Sequence, residues 1–327
     1  MYVCTMRLPI SLDLHLPNFN YPGVGPDEIF DKLVEIATTA EASGFSSISV
    51  MDHLHQIAGS GPPENWMFEG STMLAALAAR TERLTLGLLV GSVTYRNPAL
   101  AAKTTTTLDV ISGGRAWHGI GAGWYEQEHN AYGYEFPPLK ERFERLEEAL
   151  QITRSMFTNE QTTFTGKHFR AEGAYNNPKP IRGDIPILIG GSGERKTLRL
   201  VAQYADGCNV NGDAVRTRHL LDVLERHCAD VGRDPAEITK TVVGPIMVAT
   251  THEAAQVKKR ALLARGVPES RIAGGVSGDP DTIAEHAQGL ADVGVEGMTV
   301  SLPDVYDLES LEMAGRALAS VFAAPVG

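Results

Sequence analysis

The stretch Ala116–His129, AWHGIGAGWYEQEH, places three glycines at alternate positions directly after a short apolar run. A dinucleotide-binding fingerprint requires G-x-G-x-x-G leading into a helix, with an acidic residue about 20 residues further on. Here the third glycine comes one position early, and Trp124 occupies the sixth position of the pattern. The stretch therefore disfavours a dinucleotide site and leaves two alternatives, a tight turn or a strand end kept bare for a flat ligand.

Short apolar runs alternate with longer segments of helical period along the whole chain. This alternation is typical of βα units that build a parallel sheet. The opening stretch is the fourth of eight predicted strands, and the other seven lie at residues 10–16, 47–51, 84–90, 187–189, 207–210, 241–248 and 297–301. Eight βα units predict a closed (β/α)8 TIM barrel, which is an α/β fold.

One segment departs from this pattern. Residues 162–175, TTFTGKHFRAEGAY, alternate as a β-hairpin does, with Thr-Gly-Lys at the turn. We therefore predict an insertion at about residues 159–185, after the fourth βα unit. Because no linker rich in proline and serine interrupts the chain, residues 1–327 are predicted to form a single domain.

Composition and charge exclude several classes of partner. The 327 residues are 43% hydrophobic and 21% charged, with a formal net charge of -11. A chain this acidic, without a lysine-rich or arginine-rich block, repels nucleic acid and acidic membrane surfaces. The sequence also shows no secretory leader and no run of 18 apolar residues. We therefore expect a cytoplasmic protein with a small-molecule substrate, no nucleic-acid partner and no membrane association.

Polar residues and glycines directly follow four of the predicted strands. In a TIM barrel the loops after the strands meet at one rim, where active sites lie. The segments at this rim begin at Asp52-His53 after the second strand, Gly91 after the third, Gly121 after the fourth and Gly190 after the fifth. The sequence therefore predicts a functional site built from these segments.

Several separated motifs, which together span nearly the whole chain, resemble the luciferase-like flavin and deazaflavin oxidoreductases. These motifs are LDVISGGRAWHGIGAGW (108–124), PILIGGSGE (186–194) with YADGCNV (204–210), and GDPDTIAEHAQGLADVGVEGMTVS (278–301). Three further motifs are similar to the branch assigned as F420-dependent oxidoreductases, namely DHLHQIAGSGPPE (52–64), VTYRNPALAAK (93–103) and YGYEFPPLKERFERLEEALQI (132–152).

The resemblance implies a dimeric barrel that holds an isoalloxazine-like ring at its carboxyl rim and passes a hydride between this ring and an organic substrate. Coenzyme F420 is the implied cofactor, with FMN as the alternative, because both bind to this barrel. The homodimer is also suggested by apolar segments such as Met73–Leu77, which could pack across an interface. The resemblance further implies a non-proline cis peptide at Leu89–Val90, so that Leu89, Val90 and Gly91 back the face of the ring.

The alternate glycines of the opening stretch have two interpretations. Small residues can let a barrel interior taper, or they can leave a strand end open so that backbone groups reach a planar ligand. The aromatic Trp124 beside them favours the ligand interpretation. We therefore interpret the stretch as a bare strand end and predict Gly121, Ala122 and Gly123 as cofactor-binding residues.

Asp52 and His53 are the candidate reactive pair. A lone histidine is usually a core or capping residue, but a histidine at this rim can move protons during hydride transfer. In the sugar-phosphate dehydrogenase branch of the family, a histidine that follows an aspartate at the matching place is the catalytic base. We therefore predict His53 as catalytic and Asp52 as cofactor-binding. That branch also carries an acid directly after the glycine run, where this chain has Trp124, so oxidation of an alcohol by an identical dyad is doubtful.

The loop after the fifth strand is a candidate phosphate site, with a simple turn as the alternative. Backbone N–H groups at a helix N-terminus bind anions, and glycines allow close approach. Three cations follow the loop on an otherwise acidic chain, namely Arg195, Lys196 and Arg199. We predict that the cofactor phosphate binds to Gly190, Gly191, Ser192 and Gly193.

The remaining candidate residues concern the substrate pocket and metals. His55, Trp66 and Trp124 are predicted to line the substrate pocket. Near the opening glycines, the spacing of the acids and histidine at 126, 128 and 129 is that of a solvated helical turn and fits no metal template, so no metal is predicted. The three cysteines show no C-x-x-C spacing and are predicted to be buried, namely Cys4, Cys208 and Cys228.

Three functions follow from this sequence. The first is an F420-dependent oxidoreductase, in which the protein orients the reactants and manages protons. The second is an FMN-dependent monooxygenase on the same fold. The third, from a different class, is a non-catalytic protein that binds the cofactor, and the presence of both Asp52-His53 and the glycine rim argues against it.

Overall fold

The computed structural model describes residues 7–272 and 274–322, so the prediction for Cys4 lies outside the described residues. The strands are β1 (Leu12–Leu16), β2 (Ser47–Val50), β3 (Thr85–Leu88), β4 (Gly91–Ser92), β5 (His118–Gly121), β6 (Gln161–Thr165), β7 (Arg170–Tyr175), β8 (Ile187–Gly190), β9 (Gly207–Asn211), β10 (Thr239–Val248), β11 (Val276–Gly278) and β12 (Gly297–Ser301). The helices are α1 (Ile29–Ala42), α2 (Gly70–Ala78), α3 (Pro98–Ser112), α4 (Glu126–Tyr132), α5 (Leu139–Thr158), α6 (Thr197–Tyr204), α7 (Ala214–Val231), α8 (His252–Ala264), α9 (Pro280–Ala291) and α10 (Leu308–Ala319).

The strands form a parallel barrel. Their order is β3-β2-β1-β12-β10-β9-β8-β5-β4, and every pair between neighbours in this order is parallel. β3 and β4 are two parts of one barrel strand, separated by Leu89 and Val90, and this strand closes the barrel between β2 and β5. The predicted eight-fold barrel is confirmed, and its third strand is interrupted.

The peptide bond between Leu89 and Val90 is cis, as the family resemblance implied. The two residues lie between the end of β3 at Leu88 and the start of β4 at Gly91. They form a bulge in the barrel wall, which we call the β3–β4 bulge.

Two additions decorate the barrel. β6 and β7 pair as an antiparallel hairpin after α5, which confirms the predicted insertion. β11 pairs in parallel with the C-terminal end of β10 and was not predicted from the sequence. Three residues give too short a run for a periodic signal.

Local capping explains where α3 begins and ends. Pro98 occupies its first turn, and the Asn97 side chain accepts hydrogen bonds from the backbone of Ala99 at 2.9 Å and Leu100 at 3.4 Å. Gly113 ends the helix with a φ of 68°, a left-handed conformation that glycine adopts without strain. The sequence predicted this helix at residues 98–111 from the same proline.

The helices bury apolar faces against the outside of the barrel. On β1, Leu12, Leu14 and Leu16 point to this layer, and all three are fully buried. Cys208 and Cys228 are buried as predicted. The segment Met73–Leu77 packs into the same core through Met73, Leu74 and Leu77, so it is not free to form an interface and that motivation for a dimer was wrong. Within the described residues, the helices lack either the length or the apolar character needed to cross a bilayer.

The inside of the barrel is polar around β1 and β2. Asp13 and His15 alternate with the leucines of β1 and point inward. Ser49 donates a hydrogen bond to Asp13 Oδ2 at 2.6 Å, and His15 Nδ1 lies 3.0 Å from the same hydroxyl oxygen. Burial raises the pKa of Asp13 to about 6, although hydrogen bonds from serine and threonine hydroxyls lower it in part. Asp13 is therefore a buried carboxylate at neutral pH, and its Oδ1 has no hydrogen-bond partner among the described residues.

Replacing Asp13 with Asn should stabilise the fold at pH 8. The folded-state pKa lies above the unfolded-state value, so folding favours the protonated acid and the ionised form costs stability above about pH 6. We expect a gain in unfolding free energy on the order of 1 kcal/mol, below the limit of about 3 kcal/mol that two pKa units represent. Urea unfolding at several pH values measures it.

The gain should shrink as the pH falls from about 6 to about 4, because Asp13 is then protonated in the folded state. Asp230→Asn, at an exposed acid, is the matched control and should change little. A gain that stays constant across this pH range would contradict the assignment of a buried charge to Asp13.

Candidate functional site

A cavity of about 440 Å³ opens at the carboxyl ends of the barrel strands. Most of the residues predicted from the sequence line it, and they come from the ends of β2, β4, β5 and β8 and from the bulge. These lining residues are Asp52, His53, Leu89, Val90, Gly91, Gly121, Gly123, Trp124, Gly190, Gly191 and Ser192. The structure therefore brings together segments that lie up to 140 residues apart in the sequence.

Four predicted residues lie elsewhere. Ala122 packs against the apolar cluster between the barrel and its helices. Gly193 lies beyond the cavity wall, where its carbonyl accepts a hydrogen bond from Leu198 N at 3.1 Å. His55 makes ring contacts with Tyr125 and Tyr132. Trp66 packs against the hydrophobic core that contains the leucines of β1. None of these four is among the residues that line the cavity.

The glycines of β5 and β8 are required by the β3–β4 bulge. A Cβ atom on Gly121 would lie 3.0 Å from a methyl group of Val90, and one on Gly190 would lie 2.9 Å from the other methyl. A Cβ on Gly119 would lie 1.9 Å from the Leu88 carbonyl oxygen. Close packing thus explains all three glycines, and Gly121 and Gly190 also border the cavity. Packing therefore accounts for both positions, and their role in binding a ligand stays a prediction.

The loop after β8 is held against the end of β9. Gly191 donates its N–H to Asn209 O at 2.9 Å, and its φ of 126° is in a region that favours glycine. Ser192 Oγ donates to Asn211 Oδ1 at 2.7 Å and accepts from Asn211 N at 3.1 Å. The three cations that follow the loop are exposed and form no ion pair with any described residue, namely Arg195, Lys196 and Arg199.

Asp52 is buried at the edge of the cavity. Its Oδ2 accepts from Arg96 Nη1 at 2.7 Å and from Ser92 N at 2.9 Å, and Arg96 also bonds Glu69 at 2.6 Å. Burial raises the pKa of Asp52, and Arg96 and the Ser92 N–H oppose this shift. The other oxygen, Oδ1, has no hydrogen-bond partner among the described residues. A ligand group that donates a hydrogen bond can satisfy it.

His53 is held by an acid from α4. Its Nδ1 lies 2.8 Å from Glu128 Oε2, and Glu128 is completely buried. The other carboxylate oxygen accepts from the backbone N–H of Leu54 and, at 3.0 Å, from that of His55, while Tyr95 donates its hydroxyl to Oε2. Burial by itself would raise the pKa of Glu128, but hydrogen bonds, first from His53 and then from Tyr95 and the two amides, lower it to about 2. Glu128 is therefore a carboxylate.

The interpretation of residues 126, 128 and 129 as a solvated helical turn was wrong for two of the three. Glu126 is exposed, whereas Glu128 and His129 are fully buried. His129 bonds Thr94 Oγ1 at 2.6 Å and the Tyr125 carbonyl at 2.8 Å. α4 has seven residues, fewer than two full turns, so its sequence period cannot show which face is buried.

Trp124 lies over the mouth of the cavity. Its side chain is 61% exposed, and its ring makes an edge contact with His53 at a centroid distance of 5.7 Å. Tyr125 contacts His53 at the same distance. His53 is thus packed between aromatic rings and a buried carboxylate, with its remaining nitrogen, Nε2, as the atom free to reach a ligand.

Sequence reasoning missed several residues that complete the site, namely Tyr95, Arg96, Glu128, His15 and Asn209. Tyr95 and Arg96 lie in a motif that was quoted only for its resemblance. His15 and Asn209 lie inside strands and line the cavity from within the barrel. The inward direction of alternate residues on each strand could have identified His15 and Asn209.

Solved structures with similar folds include an F420-dependent enzyme and a monooxygenase. The coenzyme F420-dependent tetrahydromethanopterin reductase of Methanopyrus kandleri has a TM-score of 0.76 and 19% identity, covering 96% of this chain and 100% of that one. The EDTA monooxygenase of Chelativorans sp. BNC1 has a TM-score of 0.80 and 15% identity, covering 97% and 95%. At these identities the similarity shows the fold alone.

A curated relative is similar over most of the chain. The F420-dependent glucose-6-phosphate dehydrogenase of Segniliparus rotundus is 28% identical over 319 residues, covering 88% of this chain and 92% of the relative. The sequence profile described as luciferase-like monooxygenase matches residues 11–300, which includes every strand of the barrel except the last residue of β12. The chain therefore belongs to the luciferase-like monooxygenase family.

Proposed function

We propose that this protein is an F420-dependent oxidoreductase that transfers a hydride between the deazaflavin and a small organic substrate. The observation that carries the proposal is the buried pair of His53 and Glu128 at the edge of a cavity walled by the β3–β4 bulge. The relative from Segniliparus rotundus, named as an F420-dependent dehydrogenase, supports the choice of cofactor.

The cavity fits a planar ring with polar edges. The bulge and the ends of β5 and β8 form one wall of the cavity. The strand ends carry glycines, so the side chains on this wall are those of the bulge, and a Cβ at Gly190 or Gly121 would collide with Val90. Asp52 Oδ1, which has no partner within the described part of the chain, is an acceptor at this edge. The amide of Ser192, with the exposed cations that follow the loop, suits the phosphate of the cofactor. When bound, the deazaflavin supplies the hydride donor or acceptor.

His53 is the group that moves the proton. Glu128 is ionised, so His53 Nδ1 donates its hydrogen to Glu128, and Nε2 is the ring nitrogen left to exchange a proton with a ligand. Nε2 can then take a proton from a substrate hydroxyl as hydride leaves the adjacent carbon, or return one in the reverse reaction. Glu128 is a positioning residue, because it fixes the orientation and tautomer of His53 and does not line the cavity.

The acid that orients the histidine comes from a different position than the resemblance implied. Trp124 occupies the place directly after the glycine run, and Glu128 reaches His53 from one helical turn further along. A histidine–carboxylate dyad is therefore present, so the absence of an acid at position 124 does not remove the means of oxidising an alcohol.

Two other functions compete with this proposal. The first is an FMN-dependent monooxygenase on the same barrel, because the solved structures that are similar to this chain include the EDTA monooxygenase. A non-catalytic cofactor-binding protein requires no histidine–carboxylate dyad, and the hydrogen bond between Glu128 and His53 at the cavity edge argues against it.

Titration with F420 and FMN separates the first two functions. We expect quenching of tryptophan fluorescence by F420, because Trp124 lies at the cavity mouth, and a Kd for FMN at least about tenfold higher. Trp124→Phe is the control and should remove most of the quenching while changing the Kd, measured by calorimetry, only a few fold. A purified protein that retains FMN as a yellow chromophore would contradict the choice of F420.

Replacing His53 with Ala should leave the Kd for F420 within a few fold and reduce kcat by about 10²–10⁴, the usual effect of losing an acid–base group. Glu128→Gln should also reduce kcat, because the amide can no longer hold a hydrogen-bonded imidazole in the same way. Glu126→Gln, at the exposed acid of the same helix, is the matched control.

Proton NMR gives a second measurement that needs no substrate. A downfield imidazole N–H resonance should be present in the wild type and in Glu126→Gln, and absent in His53→Ala and Glu128→Gln. Unchanged kcat in His53→Ala would show that His53 is structural.

We also propose a homodimer, from the family resemblance and from exposed apolar side chains beside α3. Ile111 and Ile181 are 47% and 57% exposed, and the segment at Ile181 is tied to α3 by a hydrogen bond from its N–H to Asp109 at 2.8 Å. Light scattering at micromolar concentration should give a mass of two chains. A mass of one chain, near 35.2 kDa, would contradict the dimer.

A further inference from the structure

The cavity has a second polar region, formed by residues inside the barrel strands. We call it the barrel floor and define it by His15 and Asn209, which line the cavity, and by the polar residues that hold them, namely Asp13, Ser49, Thr241 and Thr299. The proposed proton transfer at His53 uses none of these groups.

The hydrogen bonds beneath His15 determine which of its nitrogens is free. Ser49 donates its only hydroxyl hydrogen to Asp13, so the Ser49 oxygen can only accept from His15 Nδ1–H. Burial lowers the pKa of His15 to about 4, so the ring is neutral. Nε2 therefore has a lone pair and no protein partner among the described residues, and it is a hydrogen-bond acceptor at the cavity wall.

Hydrogen bonds also determine the orientation of the Asn209 amide. Thr241 donates its hydroxyl to the Cys208 carbonyl at 2.8 Å, so its oxygen must accept. Asn209 Nδ2 supplies that hydrogen at 2.9 Å and donates a second one to Thr299 at 3.2 Å. Both amide hydrogens are thus used, and Asn209 Oδ1 is left as a second acceptor, on a residue that lines the cavity.

The cavity offers no cation to an anionic ligand. Among the described residues, those that line it include no lysine and no arginine, and the carboxyl group of Asp52 is already paired with Arg96. Arg271 acts on His15 electrostatically, but it is not part of the lining. A phosphate ester placed on the barrel floor would meet two hydrogen-bond acceptors and no lysine or arginine side chain from the cavity lining. A hydroxyl group would instead donate a hydrogen bond to one of the acceptors.

We infer that the barrel floor is a recognition site for neutral hydroxyl groups and that, where the substrate supplies them, it is a neutral hydroxylated compound rather than a phosphate ester. The inference deepens the proposed function and rests on it. The shared chemistry, a neutral hydroxyl, can come from the substrate or from the hydroxyls of the cofactor. The relative from Segniliparus rotundus is named for a sugar phosphate, so this chain would differ from it in substrate.

The variants His15→Leu and Asn209→Leu each remove one acceptor. His15→Gln retains an acceptor at nearly the same place and serves as the conservative variant, and His168→Leu in the β6–β7 hairpin is the control away from the site. Each protein is titrated at pH 7.5 with F420 and then, as the F420 complex, with four neutral alcohols: isopropanol, cyclohexanol, glycerol and glucose. The wild-type complex is also titrated with glucose 6-phosphate, so that its Kd can be compared with those of the neutral alcohols in the same protein.

Loss of one neutral hydrogen bond should raise a Kd about threefold to tenfold. A higher Kd for F420 in both leucine variants assigns the site to a cofactor hydroxyl. An unchanged Kd for F420 with weaker binding of an alcohol assigns it to the substrate. His15→Gln should bind as the wild type does in either case.

Two results would overturn the inference. The first is that F420 and all four alcohols bind both leucine variants within twofold of the wild type. The second is a lower Kd for glucose 6-phosphate than for every neutral alcohol. Wild-type protein that does not bind F420 would instead contradict the proposed function, so the two failures can be told apart.

Discussion

The contact between the β3–β4 bulge and the ends of β5 and β8 sets the shape of the site. The two methyl groups of Val90 occupy the space that side chains at Gly121 and Gly190 would need. Protein interiors are close-packed, so a larger residue at either position would force the Val90 side chain to shift. Because the bulge is also a wall of the cavity, these two glycines help to set the position of that wall.

The same region is tied to the end of β2 by charge. Asp52 accepts from Ser92 N, two residues beyond the bulge, and from Arg96, which in turn bonds Glu69 before α2. Removing one partner of a buried ion pair leaves an uncompensated charge and costs more than the pair contributes. The position of the bulge and the position of His53, next to Asp52 in the chain, are therefore coupled through one carboxylate.

The sequence predicted the strands, helices and loops of this site better than the side-chain contacts between them. Strand periodicity, Pro98 and the glycine runs are local signals, and they located the barrel, α3 and most of the cavity wall. Glu128 was misjudged because its role depends on His53, 75 residues away, and α4 is too short to show a buried face. His15 was missed because a histidine between leucines shows its direction only once the strand is known to be inside a barrel.

The polar interior of the barrel is the feature that packing alone does not explain. Branched apolar side chains usually fill the centre of such barrels, and they need no hydrogen-bond partners. Here Asp13 is buried, and one of its oxygens has no partner among residues 7–272 and 274–322. Its pKa is raised to about 6, which costs stability at neutral pH. Ser49 passes the effect of that charge to His15, since it must donate to Asp13 and can then only accept from the imidazole. The buried carboxylate thus sets the tautomer of a histidine at the cavity wall, just as Glu128 sets that of His53. Each of the two histidines is thus oriented at the cavity by a buried acid, His15 through Ser49 and His53 directly.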